Sequence, residues 1–454
     1  MSGDTEISAA ENIPGGTVDA RALYSRITWR LIPYMFALYI VAYLDRVNVG
    51  FAAMDMKRDL HLSDTVYGTG AGIFFLGSAL FDLPSNLLLV KVGPRVWIAR
   101  IMITWGIIAT LMMVVRGSWS FYLLRFLLGV SEAGFFPGMI LYLTYWFPTR
   151  ERARAVAKFM TATSIAGVVG APLSSVLLKL EGKAGLHGWQ WLFLLEGIPA
   201  VLMGVSVLFV LKDKPDDAPW LAPAEKQWLD GELEADKKRG GAADRHNLLD
   251  GLRMPLVWLL AAVCFVSQVG VYIVNLWMPL ILSSFVGHGT MPAAQESSLI
   301  ARYATVPYLA AAIFTVVVGW SSDRTGERRW HIAGCLLLSG AGFGLAAMAH
   351  SVPAALGALT LAAMGVWSMM GPFWTVVTRG LSGAAAAGGI ALIQIIGGIG
   401  GFVGPYVTGR LHDATNGFGL GLVAIGGMAV AAAALTATLR LNPDTGSPPD
   451  TVTR

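Results

Sequence analysis

The sequence predicts an all-α polytopic membrane protein of twelve transmembrane helices, arranged as two six-helix pseudo-repeats. Three observations predict it. Of the 454 residues, 55% are hydrophobic and 14% are charged, whereas a soluble chain carries about 25% charged residues. Apolar runs of spanning length, about 20 residues each, recur along nearly the whole chain. One hydrophilic stretch, 212–253, divides those runs six and six.

Residues 1–26 are polar and lack both a charged-then-apolar pattern and a small-residue cleavage site, so they are expected to be a cytoplasmic tail and not a signal peptide. The spans are expected near 27–49, 66–90, 97–115, 119–143, 156–178 and 190–211 in a first bundle, 27–211. A cytoplasmic linker, 212–253, follows. The second bundle, 254–440, is expected to hold spans near 254–283, 298–320, 330–349, 352–377, 385–408 and 417–439, and 441–454 is a second cytoplasmic tail. Lysine and arginine are retained on the cytoplasmic side during insertion. Of the 33 Lys and Arg, 24 fall in or within about a turn of the segments on one side and 6 on the other. That asymmetry predicts a multi-pass protein of the bacterial inner membrane with both termini cytoplasmic.

The composition and motifs also exclude function classes. Cys264 and Cys335 lie in apolar stretches, away from any His that would complete a metal site, so no metal is expected. No dense basic face is interleaved with aromatics, which argues against nucleic acid as a partner. Ser, His and Asp are not gathered as a hydrolase requires, and no Gly-x-x-x-x-Gly-Lys-Ser/Thr loop suggests ATP use. The seven histidines fall in loops or near span ends, and none is assigned a role. No enzyme and no cofactor are expected; the energy source would be a proton gradient.

The halves resemble each other. Asn86-Leu-Leu-Leu-Val90-Lys91-Val-Gly93-Pro-Arg95 follows the second span, and Gly319-Trp-Ser-Ser-Asp323-Arg324-Thr-Gly326-Glu-Arg328-Arg329 follows the eighth, 233 residues later. Gly167-Val-Val-Gly170 in span five and Gly401-Phe-Val-Gly404 in span eleven stand at nearly the same offset. Parallel repeats of this kind place a substrate site at the midplane between the halves. Gly319 would let spans approach closely, and Asp323 would sit at the positive end of the next helix, so Gly319, Asp323, Arg324, Gly326 and Arg328 read as a cytoplasmic gate. This motif, with six-plus-six spans, resembles the major facilitator superfamily. In the first-half copy Val90 stands where the acid belongs.

Charges inside spans cost free energy unless they are paired or line a cavity. Asp45 and Arg46 lie late in span one, followed by Asn48; Arg125 and Glu132 lie on span four. Seven residues separate Arg125 from Glu132, close to two turns and about 10 Å along one face, with Gly129 between them leaving room. Shifting all four by the repeat offset lands on Met278, Pro279, Ala358 and Gly365, so the second half offers no charged counterpart. Arg302, near the outer end of span eight, is expected to snorkel. Two guanidinium forks facing a cavity suit a carboxylate. If the substrate takes over an arginine, the acid that loses its counter-ion favours its neutral form. Glu132, and after it Asp45, are therefore the expected proton carriers.

The same residues carry a closer resemblance. Tyr43-Leu-Asp45-Arg46-Val-Asn48, Arg125-Phe-Leu-Leu-Gly129-Val-Ser-Glu132-Ala-Gly134-Phe-Phe-Pro137, Tyr145-Trp-Phe-Pro-Thr-Arg150-Glu-Arg152-Ala-Arg154-Ala and Asp213-Lys-Pro-Asp-Asp-Ala-Pro-Trp220-Leu resemble the anion:cation symporter family. That family includes bacterial permeases for tartrate, phthalate, hydroxyphenylacetate and sugar acids. The resemblance implies Arg46 and Arg125 as contacts to the substrate anion, with Asp45 and Glu132 as protonation sites. Gln394 stands where relatives often have asparagine.

The second half offers neutral groups: Tyr272, Asn275 and Trp277 on span seven, Trp367 and Trp374 on span ten, and Gln394 on span eleven. Of these, Tyr272, Asn275, Trp374 and Gln394 are taken as substrate contacts. The expected activity is uptake of a small organic carboxylate with protons by alternating access, in a monomer embedded in the lipid bilayer. Efflux of metabolites or drugs is the alternative.

Overall fold

The computed structural model describes residues 11–13, 16–240, 253–286, 292–380 and 383–439. The expected C-terminal tail and residues 241–252 of the linker lie outside the described residues. A short hairpin opens the chain: β1 (Glu11–Ile13) pairs antiparallel with β2 (Gly16–Val18). The first helix then begins at Ala20, ahead of the expected span, because Asp19 caps it by accepting the Ala22 N–H at 3.0 Å.

The first half comprises α1 (Ala20–Leu60), α2 (Asp64–Val92), α3 (Pro94–Leu111), α4 (Ser118–Glu132), α5 (Phe135–Thr144), α6 (Thr149–Leu178) and α7 (Gly188–Val210). A polar helix, α8 (Pro223–Gly240), occupies the linker. The second half comprises α9 (Pro255–Ser283), α10 (Ala293–Thr325), α11 (Arg329–Ala347), α12 (Val352–Ser368), α13 (Met370–Gly380), α14 (Gly383–Thr415) and α15 (Gly419–Ala437). Among the described residues, eleven helical stretches are long and apolar enough to cross a membrane. The twelfth expected span is α6, whose first turns carry Arg150, Glu151, Arg152 and Arg154 and whose apolar part, Ile165–Leu178, is shorter. The interior is closely packed, with Trp105, Trp146, Trp189 and Trp277 fully buried.

Two expected spans are broken. Span four divides into α4 and α5 at Ala133–Gly134, immediately after Glu132. Gly134 has φ +80°, a left-handed conformation that side chains with a Cβ disfavour. Its N–H leaves the helical ladder and donates to Asp82 at 2.7 Å. Span ten divides between α12 and α13 at Met369, which keeps a right-handed helical conformation.

The two halves repeat one packing scheme. The pair α3–α7 is matched by α11–α15, and α2–α4 by α10–α12; across the pseudo-symmetry axis α2 packs on α14, α6 on α10 and α1 on α9. The halves close against each other at the end opposite the lysine- and arginine-rich connections. There Asp413, at the end of α14, accepts the backbone N–H groups of Asp64 (3.1 Å) and Thr65 (2.8 Å) at the start of α2. His412 reaches Asp64 at 3.0 Å, and Lys57 pairs with the same carboxylate. On the other side of the interface, the Ser175 hydroxyl donates to the Ser298 carbonyl at 2.8 Å. Deeper in, Tyr67 of α2 donates to the Leu276 carbonyl of α9 at 2.8 Å.

Candidate functional site

Asp45, Arg46 and Asn48 lie in the interior of a 41-residue α1, at least twelve residues from either end. Because α1 runs to Leu60, well past the expected end at 49, these residues are deeper than a span ending near 49 would place them. Arg46 forms an ion pair with Glu132 at the last turn of α4. The Glu132 side chain is 3% exposed and Arg46 is 25% exposed, so the guanidinium is the reachable member of the pair. Arg46 also lies over the Phe74 ring, 5.9 Å from its centroid, and Arg125 over the same ring at 4.9 Å. The ring face supplies negative quadrupole to both cations.

Arg125 has partners that its sequence position does not reveal. Its Nη2 donates to the Ala71 carbonyl at 3.0 Å and its Nε to the Gly70 carbonyl at 3.3 Å, leaving Nη1 unpartnered among the described residues. It therefore splices α4 to α2 and offers one free edge. Gly129 does not leave room for a ligand, as its spacing had suggested. A Cβ there would fall 3.0 Å from the Ser78 nitrogen of α2 and nearer still to Phe74 carbonyl atoms, so its absence allows α2 and α4 to cross closely. Asn48 donates to Asp45 Oδ1 at 3.2 Å, one turn along α1. Asp45 Oδ2 and Glu132 Oε2 are both buried without a hydrogen-bond partner among the described residues.

From the second half, Tyr272 faces this group, its ring 4.0 Å from that of Phe75 and its hydroxyl toward Arg46. The Asn275 amide is engaged: its Oδ1 accepts from Tyr308 at 2.9 Å and its Nδ2 approaches the Tyr43 hydroxyl at 3.5 Å. Asn275 thus ties α1, α9 and α10 together. A small cavity lies beside that cluster, lined by Tyr43, Gly167, Tyr308, Thr315 and Trp367. Trp367 packs on Tyr308 at 5.5 Å, so among the described residues it is the span-ten tryptophan at the centre. Trp374 instead packs on Phe373 at 5.4 Å within a separate apolar cluster. Gln394 is exposed on α14. The structure therefore gathers Asp45, Arg46, Arg125, Glu132 and Tyr272, joins Asn275 to them through Tyr43, and leaves Trp374 and Gln394 outside these contacts.

The gate motif closes within its own half. Arg328, 6% exposed, pairs with Asp323 at 2.8 Å and donates to Ser322 at 2.7 Å. Arg324 covers Trp320 at 5.3 Å, and Arg329 donates to the Leu439 carbonyl at 2.7 Å. Asp323 is thus held by Arg328, the cap residue just before α11. Gly319 has no atom within 4 Å of a Cβ position, so here it is not a point of close helix approach. Gly326 ends α10. In the first half the acid missing at Val90 comes from elsewhere: Asp213 accepts the Arg95 N–H at 2.9 Å and faces its guanidinium at 3.5 Å. A linker residue supplies what the repeat lost.

Sequence reasoning missed two features. Glu196 on α7 is 4% exposed with neither carboxylate oxygen partnered. It was legible as an acid inside the predicted span 190–211, and joins Asp45, Arg46, Arg125 and Glu132 as a charge-capable group within the first-half spans. The Asp64–His412–Asp413 cluster joins residues far apart in sequence, and no local signal marks it; a histidine assigned no role bridges the halves there.

The sequence and the fold resemble those of known proteins. A family model described as Major Facilitator Superfamily matches residues 35–405 and 295–453. The chain belongs to the major facilitator superfamily. Its membership makes it a transmembrane transporter, in a family of transporters and not of enzymes. A protein of Agrobacterium vitis named as a tartrate transporter is 47% identical over 422 residues, covering 93% of this chain and 92% of the relative. A quinolone resistance transporter of Acinetobacter baumannii is 41% identical over 396 residues, covering 87% and 90%. Among solved structures, a bacterial homologue of the human lysosomal transporter Spinster, in an inward-facing and unoccupied conformation, superposes with a TM-score of 0.73 at 19% identity, covering 92% of this chain and 97% of that one.

Proposed function

We propose that this superfamily member is a symporter that takes up a small organic carboxylate together with protons across the bacterial inner membrane, with both termini cytoplasmic. The observation that carries the reading is the Arg46–Glu132 pair, in which a reachable guanidinium neutralises a buried acid at the interface of the halves. A substrate carboxylate competing for Arg46 offers it a bidentate partner. Glu132 is then left as an unpaired charge in a dry site, a costly state that taking up a proton removes. Anion and proton therefore load together. The free Nη1 of Arg125 supplies a second anchor, and Asp45 beside it a second acid. The relative named for tartrate transport supports a hydroxy acid as substrate class.

The halves touch at the far end through Asp413, His412 and Ser298, while the gate arginines bind within their own halves. With the lysine- and arginine-rich end taken as cytoplasmic, this arrangement is the inward-open member of an alternating-access pair. The energy source is the proton gradient, and a monomer contains the whole site. A second reading, efflux, is favoured by the 41% identical relative named for quinolone resistance. Proteoliposomes decide between them. Tartrate is expected to accumulate only with an inward proton gradient, and Glu132→Gln to abolish accumulation while sparing exchange. Unchanged uphill uptake by the variant would remove Glu132 from the coupling step, and transport of no carboxylate at all would end the symport reading.

A further inference from the structure

Around the first-half site three buried carboxyl groups, those of Asp45, Glu132 and Glu196, stand against two guanidinium groups, those of the buried Arg125 and the partly exposed Arg46, while the buried Asp55 and Asp64 have cations of their own in Arg58 and Lys57. Arg46 is committed to Glu132. Arg125 is the cation facing Asp45. Glu196 is left over. It lies about 12 Å along α7 from Gly188, and the groups against its carboxyl are Asp45 and Asn48 of α1 and Ser174 of α6. Those are an acid, an amide and a hydroxyl. The Asn48 amide and the Ser174 hydroxyl lie toward the Glu196 carboxyl, but neither makes a well-formed hydrogen bond to its oxygens. Asp82 of α2, half-buried, also faces Arg46, which draws that cation's field further from Glu196.

Donor and acceptor accounting supplies the rest. Asn48 gives its Nδ2 to Asp45, and its Oδ1 is buried with no donor. An ionised Glu196 is acceptor-only and cannot supply that oxygen with a donor; a protonated Glu196 brings an O–H able to satisfy it. Two neighbouring carboxylates, only one of which faces a cation, do not both ionise in a dry site. We infer that Glu196 is a proton-holding site of the transporter, its carboxylic O–H directed at the Asn48 amide, which in turn aims its N–H at Asp45. Asp45 and Glu196 form one acid pair across Asn48, so protonation at either end resets the amide between them. This goes beyond the assignment of Asp45 and Glu132 and rests on the proposed symport for its role in the cycle, though not for its chemistry.

The test separates the two. The full chain in nanodiscs, without substrate at neutral pH, is examined by infrared spectroscopy for the C=O stretch of a buried carboxylic acid. Protein grown with isotope-labelled glutamate and carrying Glu132→Gln is expected to show that band shifted by the label, which assigns it to a glutamic acid other than Glu132. Glu196→Gln, an isosteric change, is expected to delete it, and Asn48→Leu to shift it by removing the acceptor. A band that ignores the glutamate label, or that persists unchanged in Glu196→Gln, overturns the inference. The labelled protein gives an answer even if Glu196→Gln folds poorly. In proteoliposomes Glu196→Gln is expected to lower the protons moved per substrate while sparing exchange; an unchanged ratio removes Glu196 from the cycle. A wild type that moves no protons with any carboxylate would end the symport reading and leave the infrared result standing.

Discussion

Asp413 is the sharpest place to perturb the conformational equilibrium, because its bonds cross from one half to the other. Its two oxygens accept the N–H groups of Asp64 and Thr65 at the start of α2, so the second half caps a first-half helix only while this end is closed. The Ser63 N-cap of α2 stays in place, so what is lost is a second acceptor of first-turn N–H groups, taken as comparable to a cap at about 0.5–2 kcal/mol. The site is open to water on one side, which places the expected cost at about 1–2 kcal/mol, a factor of roughly 5–30 in the closed-to-open ratio. The two amides regain water when the end opens, so nearly all of that cost falls on the closed state. Asp413→Ala is therefore expected to shift the population toward an open far end by that factor, and Asp413→Asn, which keeps one acceptor, by less. Spin labels at Lys183→Cys and Thr415→Cys, on exposed positions of opposite halves, would report the distance distribution by pulsed electron resonance. A distribution in Asp413→Ala indistinguishable from wild type would show that the cap does not hold this end shut.

Other outcomes follow from the same coordinates. Arg46→Lys keeps the charge but loses the fork, and is expected to weaken carboxylate binding by about 1–2 kcal/mol, roughly 5- to 30-fold in KM, read in initial uptake rates. Gly129→Ala drives a Cβ into the α2 backbone and is expected to destabilise the bundle by about 1–3 kcal/mol, seen as a lower melting temperature in detergent. Trp367→Ala is expected to impair substrate binding and Trp374→Ala to affect mainly stability, because the former lies at the central cavity and the latter in a separate apolar cluster; calorimetric titration with tartrate separates the two.

Much of this was legible without coordinates. Hydrophobic runs of spanning length have one solution in lipid, a helix that satisfies its own backbone, so span positions and the division at 212–253 follow from composition. The scarcity of charge inside spans singled out Asp45, Arg46, Arg125 and Glu132, because each is expensive there without a partner. The partners were a different matter. Nothing in the local sequence says that Arg125 spends two donors on the Gly70 and Ala71 carbonyls, or that Asn275 is already satisfied by Tyr308.

What the sequence by itself determined is therefore the number of spans, the repeat and the four charged residues that gather at the site, all of which depend on transfer between water and hydrocarbon and so on residue type. Only the tertiary structure decided which charges pair and which glycines mark close crossings. It also decided that Asp213 replaces the acid absent at Val90, that Asp413 reaches across to α2, and that Glu196 faces Asn48. These contacts join residues distant in the chain, and hydrogen bonds and ion pairs are set by separations of a few ångströms that no residue-type rule encodes.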